Sequence, residues 1–390
     1  MVFDTERVVV NLQTNATNSR PLIGLILTIP STDSRELPAA MELLWTKDYL
    51  QDLTGSRNMG SPRLIEPGRA GVVFLSNSRL LAYEVDFSKG KLSSRKDPDI
   101  ASAFHLHLFT IDASTGASVL AKDWGTRPRE SSVQVTKDRI LLRTGTSLRL
   151  LSSGLTEERQ LALPHPDPYE GWETRISPDR ETLVLNHYMR VGRQNLSELE
   201  LLDGKTLEVK NRRTTVPWVK GETFASSNTA IAINEYQRQP AQIIHSTFDD
   251  PVRKHVWNVP ETGCIGRFTF VDDKTIAYAC KQLWLMPVTG QPVLVESFQK
   301  GEGLGPDTKF SVSQDGKSLA VLLENIHDPW DTGIQVKAMH IAVYDFRNNR
   351  RTITIDVTPL PKTDFDLALS PDGLKLAVLN DRNVTVYSIH

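Results

Sequence analysis

The residues in this chain best suited to chemistry are histidines and clusters of rings and charges. His105 and His107 stand two apart among alternating apolar residues, so both project from one face of a strand. Two imidazoles at that spacing can share a metal ion, but the sequence places no third ligand, and no metal site is assigned. His165, Asp167, His187, Arg190, His327 and Asp328 would suit acid–base or metal chemistry if they converged. The stretches around them are rich in Trp, Tyr and Arg: His165–Trp172, His187–Arg190, Pro217-Trp218, Tyr236-Gln237-Arg238 and Ile326–Asp331. Such side chains dominate binding hot spots because they bring large area, few rotors and strong donors. The candidate binding set is His165, Tyr169, Trp172, His187, Arg190, Trp218, Tyr236, Arg238, His327 and Trp330. The competing reading is that these rings cap the fold and plug its centre. There is no Gly-x-Ser-x-Gly elbow, His-Glu-x-x-His helix or phosphate-binding glycine loop. No catalytic residue and no cofactor is therefore assigned.

What must position these residues is a repeated phrase. Leu369-Ser370-Pro371-Asp372-Gly373, Val312-Ser313-Gln314-Asp315-Gly316 and Ile176-Ser177-Pro178-Asp179-Arg180 each lead into a second apolar strand. Relaxing the pattern to strand, polar turn, strand adds copies turning at Ser76-Asn77-Ser78, Thr136-Lys137-Asp138, Ser226-Ser227-Asn228 and Asp272-Asp273, seven in all. Their spacing is roughly 49 residues, the period of a repeat architecture. Further strand pairs end in Asp112, Asp203 and Asp345 before Gly- or Asn-containing turns, where the carboxylate is expected to cap its own turn. Four short strands per repeat point to a propeller. The expected fold is all-β, a seven-bladed β-propeller.

The last copy stops at His390 after three strands, which would leave an exposed sheet edge. Glu42–Tyr49 resembles a fourth strand, Val119–Trp124, so residues around 41–48 are expected to close the last blade. Residues 1–39 then form an N-terminal arm or leader remnant, and residues 40–390 the propeller.

The Ser-Pro-Asp-Gly turn resembles that of the bacterial WD40-like propeller family, akin to the TolB, YVTN and quinoprotein amine dehydrogenase propellers. The chain's opening and its C-terminal blade are also similar to uncharacterised acidobacterial propeller proteins. The resemblance covers about residues 41–390 and implies a fold more than a function. The Trp-Asp and Gly-His dipeptides of eukaryotic WD40 repeats are absent at the matching positions, so their hydrogen-bond set is not carried over.

Strand order then sorts the connections. First-to-second and third-to-fourth turns share one end of the ring, while second-to-third and inter-blade links share the other. The long connections, Asp86–Ala103, Tyr188–Leu196, Glu324–Ala338, Pro164–Gly171, Arg213–Gly221, Gln299–Asp307 and Thr358–Asp364, fall on the second end. That end is the expected functional surface. Gly301–Gly305 reads as a flexible inter-blade link.

The primary expectation is a non-catalytic binding or scaffolding module for a protein, peptide or glycan. The alternative is a propeller hydrolase, lyase or dehydrogenase with a polar site at the channel mouth. A net charge of -2 gives no reason to expect nucleic acid. No apolar run reaches the ~20 residues of a membrane span, and a monomer is expected. Of the two cysteines, Cys264 precedes the first strand of the fifth blade and Cys280 ends its second. Antiparallel neighbours can bring such a pair into disulfide range, though two packing thiols are the alternative. A bridge would imply an oxidising compartment, favouring a periplasmic or secreted protein over a cytoplasmic one.

Overall fold

The computed structural model describes residues 41–49, 70–86, 104–126, 131–144, 146–164, 171–191, 194–215, 223–224, 230–235, 242–248, 254–258, 267–272, 274–298, 302–304, 309–327, 335–361 and 364–390. The strands are β1 (Met41–Asp48), then β2 (Ala70–Ser76), β3 (Arg79–Asp86), β4 (Phe104–Asp112) and β5 (Ser118–Thr126). Next come β6 (Ser131–Val135), β7 (Arg139–Thr144), β8 (Ser147–Ser152) and β9 (Glu157–Ala162). The third group is β10 (Gly171–Ile176), β11 (Thr182–Val191), β12 (Gln194–Asp203) and β13 (Val209–Thr215). The fourth is β14 (Thr223–Phe224), β15 (Ala230–Glu235), β16 (Gln242–Thr247) and β17 (Lys254–Asn258). The fifth is β18 (Arg267–Asp272), β19 (Thr275–Ala279), β20 (Gln282–Pro287) and β21 (Val293–Ser297). Then follow β22 (Glu302–Gly303), β23 (Phe310–Val312), β24 (Ser318–His327), β25 (Gln335–Asp345) and β26 (Arg350–Asp356). The chain ends with β27 (Phe365–Leu369), β28 (Lys375–Asn380) and β29 (Asn383–Ile389).

These strands form antiparallel sheets in chain order, seven in number. Side chains alternate across each strand, so a sheet with apolar residues on both faces must be sandwiched between neighbours. Each apolar cluster accordingly lies between two successive sheets. Leu106 and Leu108 of the first sheet meet Ile140 and Leu142 of the second. Leu148 and Leu150 meet Leu183 and Leu185 of the third, and Leu199 and Leu201 meet Phe248, directly after β16 of the fourth. Ile243 and Trp257 meet Phe270 and Ile276, Val271 and Ala277 meet Leu319 and Val321, and Ile341 and Val343 meet Leu369 and Leu376. The last sheet returns to the first through Leu379, Val384 and Val386 against Phe74 and Leu80. The sheets therefore close into a ring around their first strands: a β-propeller.

The closing seam carries β1. Its residues pair with β29 from Met41↔Ile389 to Asp48↔Asn383, giving the last sheet the order β1-β29-β28-β27. Trp45 is buried there, with Nε1 donating to Ala113 O at 2.9 Å.

Three copies of the repeated turn are built alike. The Oγ of Ser177, Ser313 and Ser370 donates to the carboxylate two residues on, Asp179, Asp315 and Asp372, at 2.6–2.7 Å. Each carboxylate accepts from a second amide, that of Glu181, Lys317 or Leu374. Each serine Oγ also accepts from the amide that opens the next strand, Thr182, Ser318 or Lys375. The fourth turn position has positive φ: 65° at Arg180, 70° at Gly316 and 73° at Gly373. Glycine adopts that conformation without a steric penalty.

Two expectations about connections are corrected. Tyr188–Leu196 is not a long loop: β11 and β12 stay paired out to Val191↔Gln194, so His187 and Arg190 lie on a strand. Gly301–Gly305 is not simply a flexible link either. Glu302-Gly303 forms β22, which pairs with Asn325 and Glu324, and Glu302 is held by His340 and Arg351.

The strand-end aspartates cap their turns as expected: Asp112 accepts from the amides of Ser114 and Thr115, and Asp345 from that of Arg347. At Asp203 burial favours the neutral acid, but Lys210 at 2.8 Å and the amides of Lys205 and Thr206 outweigh it. The carboxyl is held at about 2, below its ordinary 3.8. Because the folded value is depressed, its contribution is present above about pH 4 and lost as pH falls towards 2. Asp203→Asn is expected to cost about 1–2 kcal/mol at neutral pH, after allowance for partial solvent screening. The cost should vanish near pH 2. Urea unfolding of both proteins across this range checks it; a pH-independent difference would refute the assignment.

Candidate functional site: the channel and its rim

Of the ten candidate binding residues, Trp172 and His187 have described side chains. Both sit on paired strands, Trp172 in β10 and His187 opposite it in β11. Their rings stack with centroids 4.0 Å apart at 10°. Trp172 is 9 % exposed within the seam between the second and third sheets, and its Nε1 donates to Pro164 O at 3.2 Å. The Trp172 ring is therefore packed into the core. Arg190 and His327 are placed by backbone at the ends of β11 and β24. His165, Tyr169, Trp218, Tyr236, Arg238 and Trp330 lie outside the described residues, as does Cys264. Cys280, buried directly after β19, is disulfide-bonded.

His105 and His107 share a strand face, with ring centroids 6.3 Å apart. His107 Nδ1 meets Asp123 Oδ1 at 2.6 Å. Among the described residues no group of three or more His, Cys, Asp or Glu is arranged to hold a metal.

A concave site among the described residues is the central channel, whose residues the sequence did not single out. A cavity of about 600 Å³ is lined by first strands of six sheets: β2, β6, β10, β18, β23 and β27. A first strand has one edge unpaired by its own sheet, and that edge faces the channel. Polar side chains from adjacent sheets satisfy parts of it. Val72 N donates to Asp366 Oδ2 at 3.0 Å, Leu369 N to Ser311 Oγ at 2.8 Å, and Gln134 Nε2 to Thr174 O at 2.9 Å.

Charge is concentrated on this wall. Arg175, Arg180, Arg267, Lys309 and Asp366 line it, and two further carboxylates stand beside it, Glu173 next to Arg175 and Asp364 near Tyr83. Arg175 is paired with Glu173, and Lys309 Nζ stands 3.7 Å from Asp366 Oδ1. Burial raises the pKa of the Asp366 carboxyl, against the opposing pull of Lys309 and the Val72 amide. Burial raises the Tyr83 phenol too, reinforced by Asp366 and Asp364. Gly71 makes room for this pair: a Cβ there would stand 2.3 Å from the Tyr83 hydroxyl and 2.6 Å from Asp366 Oδ2.

The turn end of the channel is crossed by the repeated turns. Gln314 Nε2 donates to Asp179 O at 2.9 Å, and its amide donates to Pro371 O. Arg180 reaches Phe74 O at 2.6 Å, while Lys137 N donates to Arg180 O. Burial lowers the Arg180 guanidinium to about 10, so it stays charged at neutral pH. The signal that could have found this wall was polar residues on first strands, as in Phe365-Asp366-Leu367 and Arg267-Phe268-Thr269, at positions that a seam would fill with apolar ones.

No family model matches this chain, and no curated protein does. Among solved structures 604 chains match. One, from the crystal structure of the mitotic checkpoint complex, is 13 % identical with a TM-score of 0.51, covering 96 % of this chain and 99 % of that one. At that identity the likeness shows the fold, an all-β propeller. No helix among the described residues is long and apolar enough to cross a membrane.

Trp172→Ala is expected to destabilise the protein by about 3–5 kcal/mol through the cavity it leaves. His187→Ala should cost less than this, because it removes the smaller and less buried ring of the stack. Urea unfolding of the two variants checks the order; equal losses would refute a core role for Trp172.

Proposed function

We propose that this protein is a non-catalytic binding or scaffolding propeller of seven blades. Its partner is a protein, peptide or glycan taken at the end where second-to-third and inter-blade connections emerge. The observation that carries this reading is the asymmetry of connection lengths. At the turn end the strands are joined by short links such as 77–78, 136–138, 177–181 and 370–374. At the other end stand 87–103, 163–170, 216–222, 259–266 and 328–334. A rigid ring that concentrates its long connections on one face is arranged for recognition by that face.

The rim residues proposed to make contact are His165, Tyr169, Arg190, Trp218, Tyr236, Arg238, His327 and Trp330, with Trp172 and His187 as the packed base beneath them. Seven sheets joined by seven seams support the blade count, and the Ser-Asp turns support kinship with the bacterial WD40-like propellers. The unit runs over residues 40–390, with 1–39 as an arm. The neighbour in the mitotic checkpoint complex is part of a multi-protein assembly, in keeping with a scaffold. The bonded Cys280 supports a Cys264–Cys280 bridge and an oxidising compartment.

Capture experiments with the intact chain test the rim. Trp218→Ala combined with Trp330→Ala should abolish specific partners, while Lys205→Glu on a third-to-fourth turn should retain them. Equal partners for both folded variants would refute the assignment. Mass spectrometry after alkylation without reductant should show no label on either cysteine; double labelling of the native chain would refute the bridge.

A further inference from the structure

We infer that the apolar segment 22–29 of this chain folds back beside β1 and covers an exposed apolar patch at the turn end of the last sheet. The patch starts where β1 starts. Met41 pairs with Ile389 and Leu43 with Tyr387, and Ile389 N donates to Leu374 O at 2.8 Å. Leu43 and Leu374 are 56 % and 55 % exposed, the most exposed large apolar side chains among the described residues, and Met41 is 37 % exposed. Directly paired residues share a sheet face, as do residues two apart on one strand. Met41, Leu43, Tyr387 and Ile389 therefore stand together. Tyr387 and Ile389 pack into the seam with the sixth sheet, and Met41 and Leu43 carry that apolar face outwards into solvent. β1 is also the outermost strand of its sheet, with no strand on its other edge among the described residues. Apolar side chains beside an open strand edge form a template for one more strand.

The chain itself supplies the occupant. Forty residues precede Met41, and they lie outside the described residues. Among them Leu22-Ile23-Gly24-Leu25-Ile26-Leu27-Thr28-Ile29 carries no charge and is bounded by Pro21 and Pro30. It is as long as β1, which has 8 residues, and falls short of the ~20 that span a bilayer. As a strand it would set Ile23, Leu25, Leu27 and Ile29 on one face, a wholly apolar row to lay against Met41 and Leu43. Residues 30–40 form the link. Extended, the link reaches roughly 36 Å, against about 26 Å for the length of β1, so it has the length to reverse the chain. Its Ser31-Thr32-Asp33-Ser34 run has the residue types of a turn. A tether of this length gives an effective concentration on the order of millimolar, so the segment meets its own β1 before that of a second copy. The patch lies at the turn end, away from the rim, and the inference does not depend on what the rim binds.

Hydrogen exchange of the full chain tests it. Amides of residues 22–29 should exchange about tenfold or more slowly than those of a free peptide of the same sequence. Leu43→Asp, a substitution at an exposed site, should remove that protection, and so should Leu25→Asp combined with Leu27→Asp. Paired cysteines locate the contact. Leu43→Cys combined in turn with Leu25→Cys, Leu27→Cys or Ile29→Cys should give a bridge within one chain for at least one pair on air oxidation. Leu43→Cys with Val209→Cys, on the third sheet, should give none. Peptide mass mapping separates these bridges from any that Cys264 and Cys280 form. Exchange in residues 22–29 as fast as in the free peptide, or unchanged by Leu43→Asp, would overturn the inference. Bridges solely between chains would overturn it in favour of a second copy. Protection gained only on adding phosphatidylcholine vesicles would overturn it in favour of a lipid surface.

Discussion

The pairing of β1 with β29 is the contact on which the ring depends. Six of the sheets have described apolar residues on both faces, so each needs two neighbours, and the first and last must find each other. Without β1 the last sheet would present an unpaired edge, which invites intermolecular pairing. The strand does more than fill that edge. Trp45 inserts between the last and first sheets, and Lys47 Nζ donates to Gly116 O at 2.5 Å. The Tyr49 hydroxyl donates to the same carbonyl. Gly116, at φ 67°, must lack a side chain, because a Cβ would lie 2.7 Å from the Trp45 ring. The segment thus joins the last sheet by backbone and the first by side chains. Such closure is non-local, so its entropic cost comes before most of its reward.

Closing a ring of sheets hides their faces but turns one strand edge of each towards the axis. Some of the backbone groups on those edges are met by Asp366, Ser311 and Gln134 from neighbouring sheets. A structural need therefore brings polar side chains into the centre of the molecule. The channel is polar for the same reason that the seams are apolar: each takes the groups the strand pairing leaves over.

The repeat was legible because its turns obey local rules. Asp residues at strand ends accept from amides two and three positions on, and this depends on nothing distant. The fourth strand supplied by Glu42–Tyr49 was legible for a similar reason, since an incomplete sheet and a matching pattern are both visible in one dimension. The role of the serine was missed: Pro, Asp and Gly have well-known turn preferences, whereas Ser177, Ser313 and Ser370 act through bonds that link the turn's two strands. The extent of β11 and β12 was misjudged because His187-Tyr188-Met189-Arg190 is rich in polar and ring residues, which mark loops in composition but not in register. The channel wall was invisible because its residues come from six strands that only the closed ring brings together.

Arg180 shows how a departure from the repeat can be read physically. Its turn matches those of Gly316 and Gly373 in φ, yet a side chain in that conformation costs about 1–2 kcal/mol that glycine avoids. The guanidinium offsets it by donating to Phe74 O, two sheets away, and a bond from a charged group contributes about 1.5–3 kcal/mol. The two magnitudes are close, so stability alone gives little reason to prefer arginine. Gly316 shows that the neighbouring copies use the space differently: a Cβ there would stand 2.1 Å from Val271 O. In the third sheet's turn the same position carries a side chain, and the half-buried Arg180 lies on the channel wall. Arginine at this turn thus ties the third sheet to the first across the channel's turn end, at nearly no net cost to the fold.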